Sequence, residues 1–198
     1  MGKNKIVVAY LLSWFIIPII YTQSNNYKLV DSLTTVSITG TSTIHQWTVT
    51  TKEYKDITSS LNIDLMGGDS LENFSFNVVA ASLDGGRGPA MNKKIKTALK
   101  VSQYPLISYH QIAATEIEKG EKAGHYNLNP FGKLTIAGVE KSIFVEVKGK
   151  LEQNRLILEG SKALKFSDFD IEPPSAMFGQ IVCGDDITVH FKFEYELE

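Results

Sequence analysis

The sequence predicts an all-β fold, an antiparallel barrel of about eight strands with one short helix, and three observations carry that expectation. The C-terminal residues alternate apolar and polar side chains, turn residues recur between short apolar runs, and a single stretch shows helical spacing. A parallel sheet needs a crossover helix between successive strands, and one helix cannot supply them, so the strands pair antiparallel.

In chain order, residues 33–39, 47–54, 61–64 and 74–81 read as strands, separated by Gly67-Gly68-Asp69 and similar turns. Asp84-Gly85-Gly86 then leads to the one helix, expected over residues 92–101. There Ile95, Ala98 and Leu99 fall three and four apart amid Lys93, Lys94, Lys96 and Lys100. Pro105 bars its continuation. Residues 106–115 form the next strand, with Ile107 and Tyr109 competing against Leu106 and Ile112 for the inside. Leu134 and Ile136 alternate with Lys133 and Thr135, and Ile143, Val145 and Val147 alternate with Glu146, Lys148 and Lys150. Residues 156–166 are a less regular strand. The clearest one ends the chain, where Ile187, Val189, Phe191, Phe193, Tyr195 and Leu197 share one face. Closure into a barrel is favoured, because an open alternating sheet leaves its edges unpaired.

The chain has 198 residues, 43% of them hydrophobic, which suits one domain. Residues 25–198 form it. Residues 1–24 read as a signal peptide: Lys3 and Lys5 precede an apolar stretch over residues 6–20, too short for the roughly 20 residues of a spanning helix. Cleavage is expected between Thr22 and Asn26, giving a periplasmic or secreted protein without stable membrane insertion. A net charge of −2 with scattered lysines disfavours nucleic acid as a partner. Cys183 is the only cysteine, so no internal disulfide forms, and it reads as a small buried hydrophobe.

No spacing supports catalysis or metal binding. His45, His110, His125 and His190 lack ligand spacing, Asp168, Asp170, Asp185 and Asp186 fit turns better than a calcium loop, and no nucleophile motif is present.

Several segments appear in a recognisable order: Gly40-Thr41-Ser42-Thr43-Ile44-His45-Gln46-Trp47, Ser82-Leu83-Asp84-Gly85-Gly86, Met91-Asn92-Lys93, and Tyr104-Pro105-Leu106-Ile107. Gly132-Lys133-Leu134-Thr135-Ile136-Ala137-Gly138-Val139 follows, then Phe166-Ser167-Asp168-Phe169-Asp170 and, further on, Phe178-Gly179 and Gly184-Asp185-Asp186-Ile187. On these segments the chain resembles the YceI-like polyisoprenoid-binding proteins, secreted bacterial lipocalin-like barrels, from about Asp31 to the C-terminus. It departs from them at Asp170, where the family usually has glycine, and at Phe166, near which many members carry an arginine.

The resemblance implies an apolar tunnel that holds an extended lipid: a polyisoprenoid, a quinone tail or a fatty amphiphile. No other cofactor is implied, and self-association into a homodimer is left open. Phe74 and Phe76 on one strand, and Val189, Phe191 and Phe193 on another, line such a tunnel or fill the core. Trp47, Met91, Leu99, Phe169, Met177 and Phe178 form its mouth or cap the core. The function expected is lipid binding for transport or storage rather than catalysis. The alternatives are a redox-associated quinone or haem protein, and a structural, stress-related barrel with a filled core.

Overall fold

The computed structural model describes residues 27–65 and 67–197. The expected signal peptide lies outside these residues, as does Met66. Among the described residues there are sixteen strands, six of them only two to four residues long, where the sequence predicts about eight longer ones. They are β1 (Tyr27–Leu29), β2 (Thr35–Ser42), β3 (Gln46–Thr51), β4 (Ile57–Asp64), β5 (Ser70–Val79) and β6 (Leu83–Asp84), followed by the helix α1 (Pro89–Ala98). Next come β7 (Leu106–Gln111), β8 (Thr115–Glu116), β9 (Glu118–Lys119), β10 (His125–Leu128), β11 (Phe131–Ile136) and β12 (Val139–Phe144). The last four are β13 (Glu146–Glu152), β14 (Arg155–Lys165), β15 (Ser175–Ala176) and β16 (Ile181–Leu197).

All pairings are antiparallel, and they fall into two facing sheets rather than one continuous ring of hydrogen bonds. The larger runs β6-β3-β2-β16-β14-β13-β10-β9, with β1 and β15 also on β16; the smaller runs β12-β11-β7-β5-β4, with β8 on β5. The long strand β16 is the spine of the larger sheet, paired with β2 on one side and β14 on the other. The architecture is that of a lipocalin-like barrel whose ladder is interrupted between the sheets.

One interruption corrects the sequence reading. Ile143, Val145 and Val147 do not lie on a single strand: β12 ends at Phe144, and β13 begins at Glu146 in the other sheet. Val145 is buried at the crossing, and its N–H donates to the Pro130 carbonyl at 3.1 Å instead of joining a ladder. Alternation cannot reveal such a change of sheet, because the inward parity persists through it. The exposed Phe144 packs at a tilt against Phe131 across β11 and β12, with centroids 4.6 Å apart.

The helix starts and ends three residues earlier than expected. Pro89 supplies the first helical position, where a missing N–H costs nothing, after Gly88 at φ 82°. Lys100, at φ 51°, turns the chain out of the helix. Asn92 ties this helix to the preceding turn, accepting the Gly85 N–H at its Oδ1 (3.0 Å).

Strand β7 turns Ile107 and Tyr109 inward and leaves Leu106 and Ile112 exposed. Of the interior, one end is solid. Leu156, Leu158, Phe193 and Tyr195 are fully buried there, each worth about 2 kcal/mol in removed apolar area. The Tyr195 hydroxyl shares a 2.6 Å hydrogen bond with Ser59 Oγ, which satisfies a buried polar group.

Candidate ligand-binding cavity

The other end of the interior is hollow. Its walls come from the inward faces of β2, β3, β5, β7, β11, β14 and β16, and α1 lies over it through Met91, Ile95 and Leu99. About 120 Å³ is open to the centre of a water-sized sphere. The lining on β16 extends from Cys183 to Phe191, a strand length of roughly 25 Å. An interior of this kind suits a hydrocarbon chain, because its lining is almost wholly apolar.

Two glycines make the walls. On β2, Gly40 leaves room for the Trp47 indole to lie across its backbone. Trp47 donates from Nε1 to the Thr41 carbonyl at 2.9 Å and stacks on Phe166 with centroids 6.2 Å apart. Gly160 on β14 likewise leaves room for the Phe191 ring. The floor is a linked group of rings: Phe76 lies 5.4 Å from Tyr109, 5.2 Å from Phe193 and 6.4 Å from Phe191. The buried Tyr109 hydroxyl donates to the Pro130 carbonyl at 3.1 Å, and burial pushes its pKa up to about 12, so it stays neutral.

Polar chemistry in the lining is confined to a few groups. Lys162 is in phase with the buried Leu156, Leu158 and Leu164 on β14, so this half-buried lysine belongs to the inward face. Among the described residues it has no carboxylate within ion-pair distance. Lys94 of α1 donates to the Ser175 carbonyl, and Lys165 pairs with Asp186 at 2.9 Å. The Cys183 thiol is half-buried in the wall; burial raises its pKa, against a smaller opposing effect of Lys94. A thiol held protonated is a poor nucleophile.

Of the residues singled out in the sequence, Trp47, Phe74, Phe76, Met91, Leu99, Phe169, Val189 and Phe191 line the cavity. Three do not. Phe193 is fully buried against Phe74 and Phe76 as core, while Met177 and Phe178 are exposed on a short turn, both in left-handed backbone. The sequence reading missed Lys94, Lys162, Phe166 and Cys183. Lys162 was legible in principle through its parity with Leu164, whereas Lys94 and Cys183 meet only across α1 and β16. His45 and His190 make local contacts, to Ser42 Oγ (3.3 Å) and Thr39 Oγ1 (3.2 Å).

A family profile described as YceI-like domain matches residues 27–195, nearly all of the described chain. The chain belongs to the YceI-like family. Solved structures agree with the fold of this YceI-like domain. BcnA of Burkholderia cenocepacia aligns with TM-score 0.66 at 17% identity, covering 84% of this chain and 99% of its own. A polyisoprenoid binding domain from Saccharophagus degradans, implicated in plant cell wall breakdown, aligns at 0.63 and 14% identity, over 88% and 99%. The Campylobacter jejuni YCEI protein aligns at 0.57 and 18% identity, over 76% and 85%. A comparison with curated proteins finds no match. Asp170 takes a left-handed conformation at φ 51°, which glycine adopts without strain, and Phe166 uses its ring against Trp47.

Proposed function

We propose that this YceI-like domain is an extracytoplasmic lipid-binding protein that holds one extended apolar chain in the cavity, for transport or storage. The observation that carries the reading is the apolar cavity beneath α1, lined along the inward face of β16 from Cys183 to Phe191. Each methylene buried there contributes about 0.8 kcal/mol, so a chain of several isoprene units repays the cost of immobilising it. The resemblance of the fold to a polyisoprenoid binding domain supports the same ligand class. A quinone tail or a fatty amphiphile meets the same walls. The extracytoplasmic location rests on Lys3, Lys5 and the apolar residues 6–20. No helix among the described residues is long and apolar enough to cross a membrane.

The reading is of binding without chemistry. The thiol in the cavity is held protonated by burial and the phenol neutral, and no histidine or carboxylate stands in the lining to activate either.

The test is native mass spectrometry of protein purified without detergent, followed by organic extraction. The expected result is a co-purified lipid, or stoichiometric uptake of a short isoprenoid probe that Val189→Trp abolishes by filling the cavity. Absence of both a bound lipid and any uptake overturns the reading.

A further inference from the structure

One face of the molecule gathers one end of the cavity lining, a group of exposed apolar side chains and a helix carrying only positive charge. Phe178 is fully exposed, Met177 and Ile44 are each more than half exposed, and Val182 is 38% exposed. Ile44 lies on one turn, Met177 and Phe178 on a neighbouring one, and Val182 at the start of β16 just after it. The Thr43 N–H donates to the Val182 carbonyl at 3.0 Å, and its hydroxyl donates to the Gln180 carbonyl at 3.3 Å, so the Ile44 turn is tied to the one bearing Phe178. Met177, Phe178 and Gly179 follow one another in left-handed backbone, at φ 51°, 54° and 86°. The first two adopt a conformation unusual for residues with a side chain, and the chain spends it on holding apolar groups in water.

Helix α1 lies alongside. Lys94 donates to the carbonyl of Ser175, which precedes this turn by two residues and pairs with Val182, and Lys100 reaches the Asp170 carbonyl at 3.4 Å. From Gly85 to Thr115 the sequence carries Arg87, Lys93, Lys94, Lys96 and Lys100 and no aspartate or glutamate, although the whole chain is net negative. Three carboxylates at this end have other partners: Asp168 accepts from the Lys165 N–H, Asp185 from Ser167, and Asp186 from Lys165; Asp170 and Glu172 also lie here, two carboxylates against five cations. The cavity reaches this region, with Met91, Lys94, Pro174 and Cys183 in its lining.

We infer that this face docks on the surface of an anionic lipid bilayer. Phe178, Met177 and Ile44 enter the interface between head groups and acyl chains while the α1 lysines meet the phosphates. An apolar tip flanked by lysines is the pattern of an interfacial anchor, and near an anionic leaflet each lysine adds roughly a fivefold gain in partition. Docking sets this end of the cavity on the leaflet, so an apolar chain passes between bilayer and protein without crossing water. The inference rests on the lipid-binding reading for its purpose, but its test does not.

The experiment is flotation of the purified protein with vesicles of phosphatidylcholine alone and with phosphatidylglycerol added. The expected result is flotation with the anionic vesicles only, weakened by salt. Phe178→Ser with Met177→Ser, and separately Lys93→Gln with Lys96→Gln, each reduce it at least about fivefold. None of these four residues lines the cavity, so uptake of a soluble isoprenoid probe in the absence of vesicles stays unchanged. Lack of flotation with anionic vesicles, or flotation indifferent to both double variants, overturns the inference. So does a concentration-dependent dimer that the Phe178 variant abolishes while flotation is absent, because the occupant of the face is then a second copy of the chain. Flotation as expected together with no probe uptake refutes the cavity reading instead and leaves the docking face standing.

Discussion

The indole of Trp47 crosses the backbone of Gly40 so closely that a Cβ on the glycine would stand 2.3 Å from ring carbon Cζ2. The ring is held there from two sides, by the 2.9 Å hydrogen bond to the Thr41 carbonyl and by the stack with Phe166. Gly40→Ala therefore forces the indole out of the wall. Overpacking of this kind costs about 1–3 kcal/mol, read as a lowered midpoint in urea, with a shift in tryptophan emission. The same substitution at Gly86, which has no atom within 4 Å of the added methyl, leaves the emission unchanged and costs only the strain of its φ of 66°. Equal spectral shifts in the two variants would refute the role given to Gly40.

Cys183 serves as a reporter of occupancy. Its thiol lines the cavity and burial raises its pKa, so labelling by a maleimide at neutral pH is slow compared with a free cysteine. Filling the cavity with a saturating isoprenoid probe slows it further, by roughly tenfold or more if the chain covers the sulfur. Labelling at the same rate with and without the probe places the ligand elsewhere.

Lys162 gives the cavity a preference among amphiphiles. Its inward position without a carboxylate partner favours a ligand whose head carries negative charge over a neutral one of equal length. A fatty acid is expected to bind about three- to tenfold more tightly than the matching alcohol. Lys162→Met removes the difference while retaining affinity for the alcohol. Calorimetric titration of both ligands decides it; an undiminished preference in the variant means that the head group lies away from Lys162.

At acid pH the attachment of α1 weakens through Asp84. The Gly86 N–H at 2.9 Å, then Lys52 at 3.0 Å and Asn92, hold its carboxyl down at about 2. Its ordinary value is near 4. The folded-state value is depressed, so the stabilisation is present above about pH 4 and is lost as pH falls towards 2. Limited proteolysis at the Asp84–Gly88 turn is expected to accelerate across that window in the wild type. In Asp84→Asn, cleavage is faster already at neutral pH and lacks this component. A wild-type profile identical to that of the variant would contradict the assignment.

Much of this was legible in the residues themselves. The alternation in β16 reports a strand with one buried face, because side chains on extended backbone point to opposite sides whatever the strand packs against. The cavity residues Phe74, Phe76, Val189 and Phe191 follow from the same parity. Phe193 shares their face yet belongs to the solid end, since parity tells inside from outside and not how far along the barrel a residue sits. Met177 and Phe178 mark the opposite limit: their apolar character suggests burial, but two left-handed residues in succession turn them to solvent.

The local pattern of hydrophobicity and turn residues determined the strand faces and the antiparallel pairing, because each depends on neighbours within a few positions, while the family followed from the likeness of ordered segments along the chain. Tertiary structure alone decided the change of sheet at Val145, the meeting of Lys94 with Cys183 beneath α1, and the division of the interior into a packed end and a hollow one. Those depend on which distant strands approach one another, and on whether the volume between them is taken up by rings such as Phe193 and Tyr195 or left open beside Gly40.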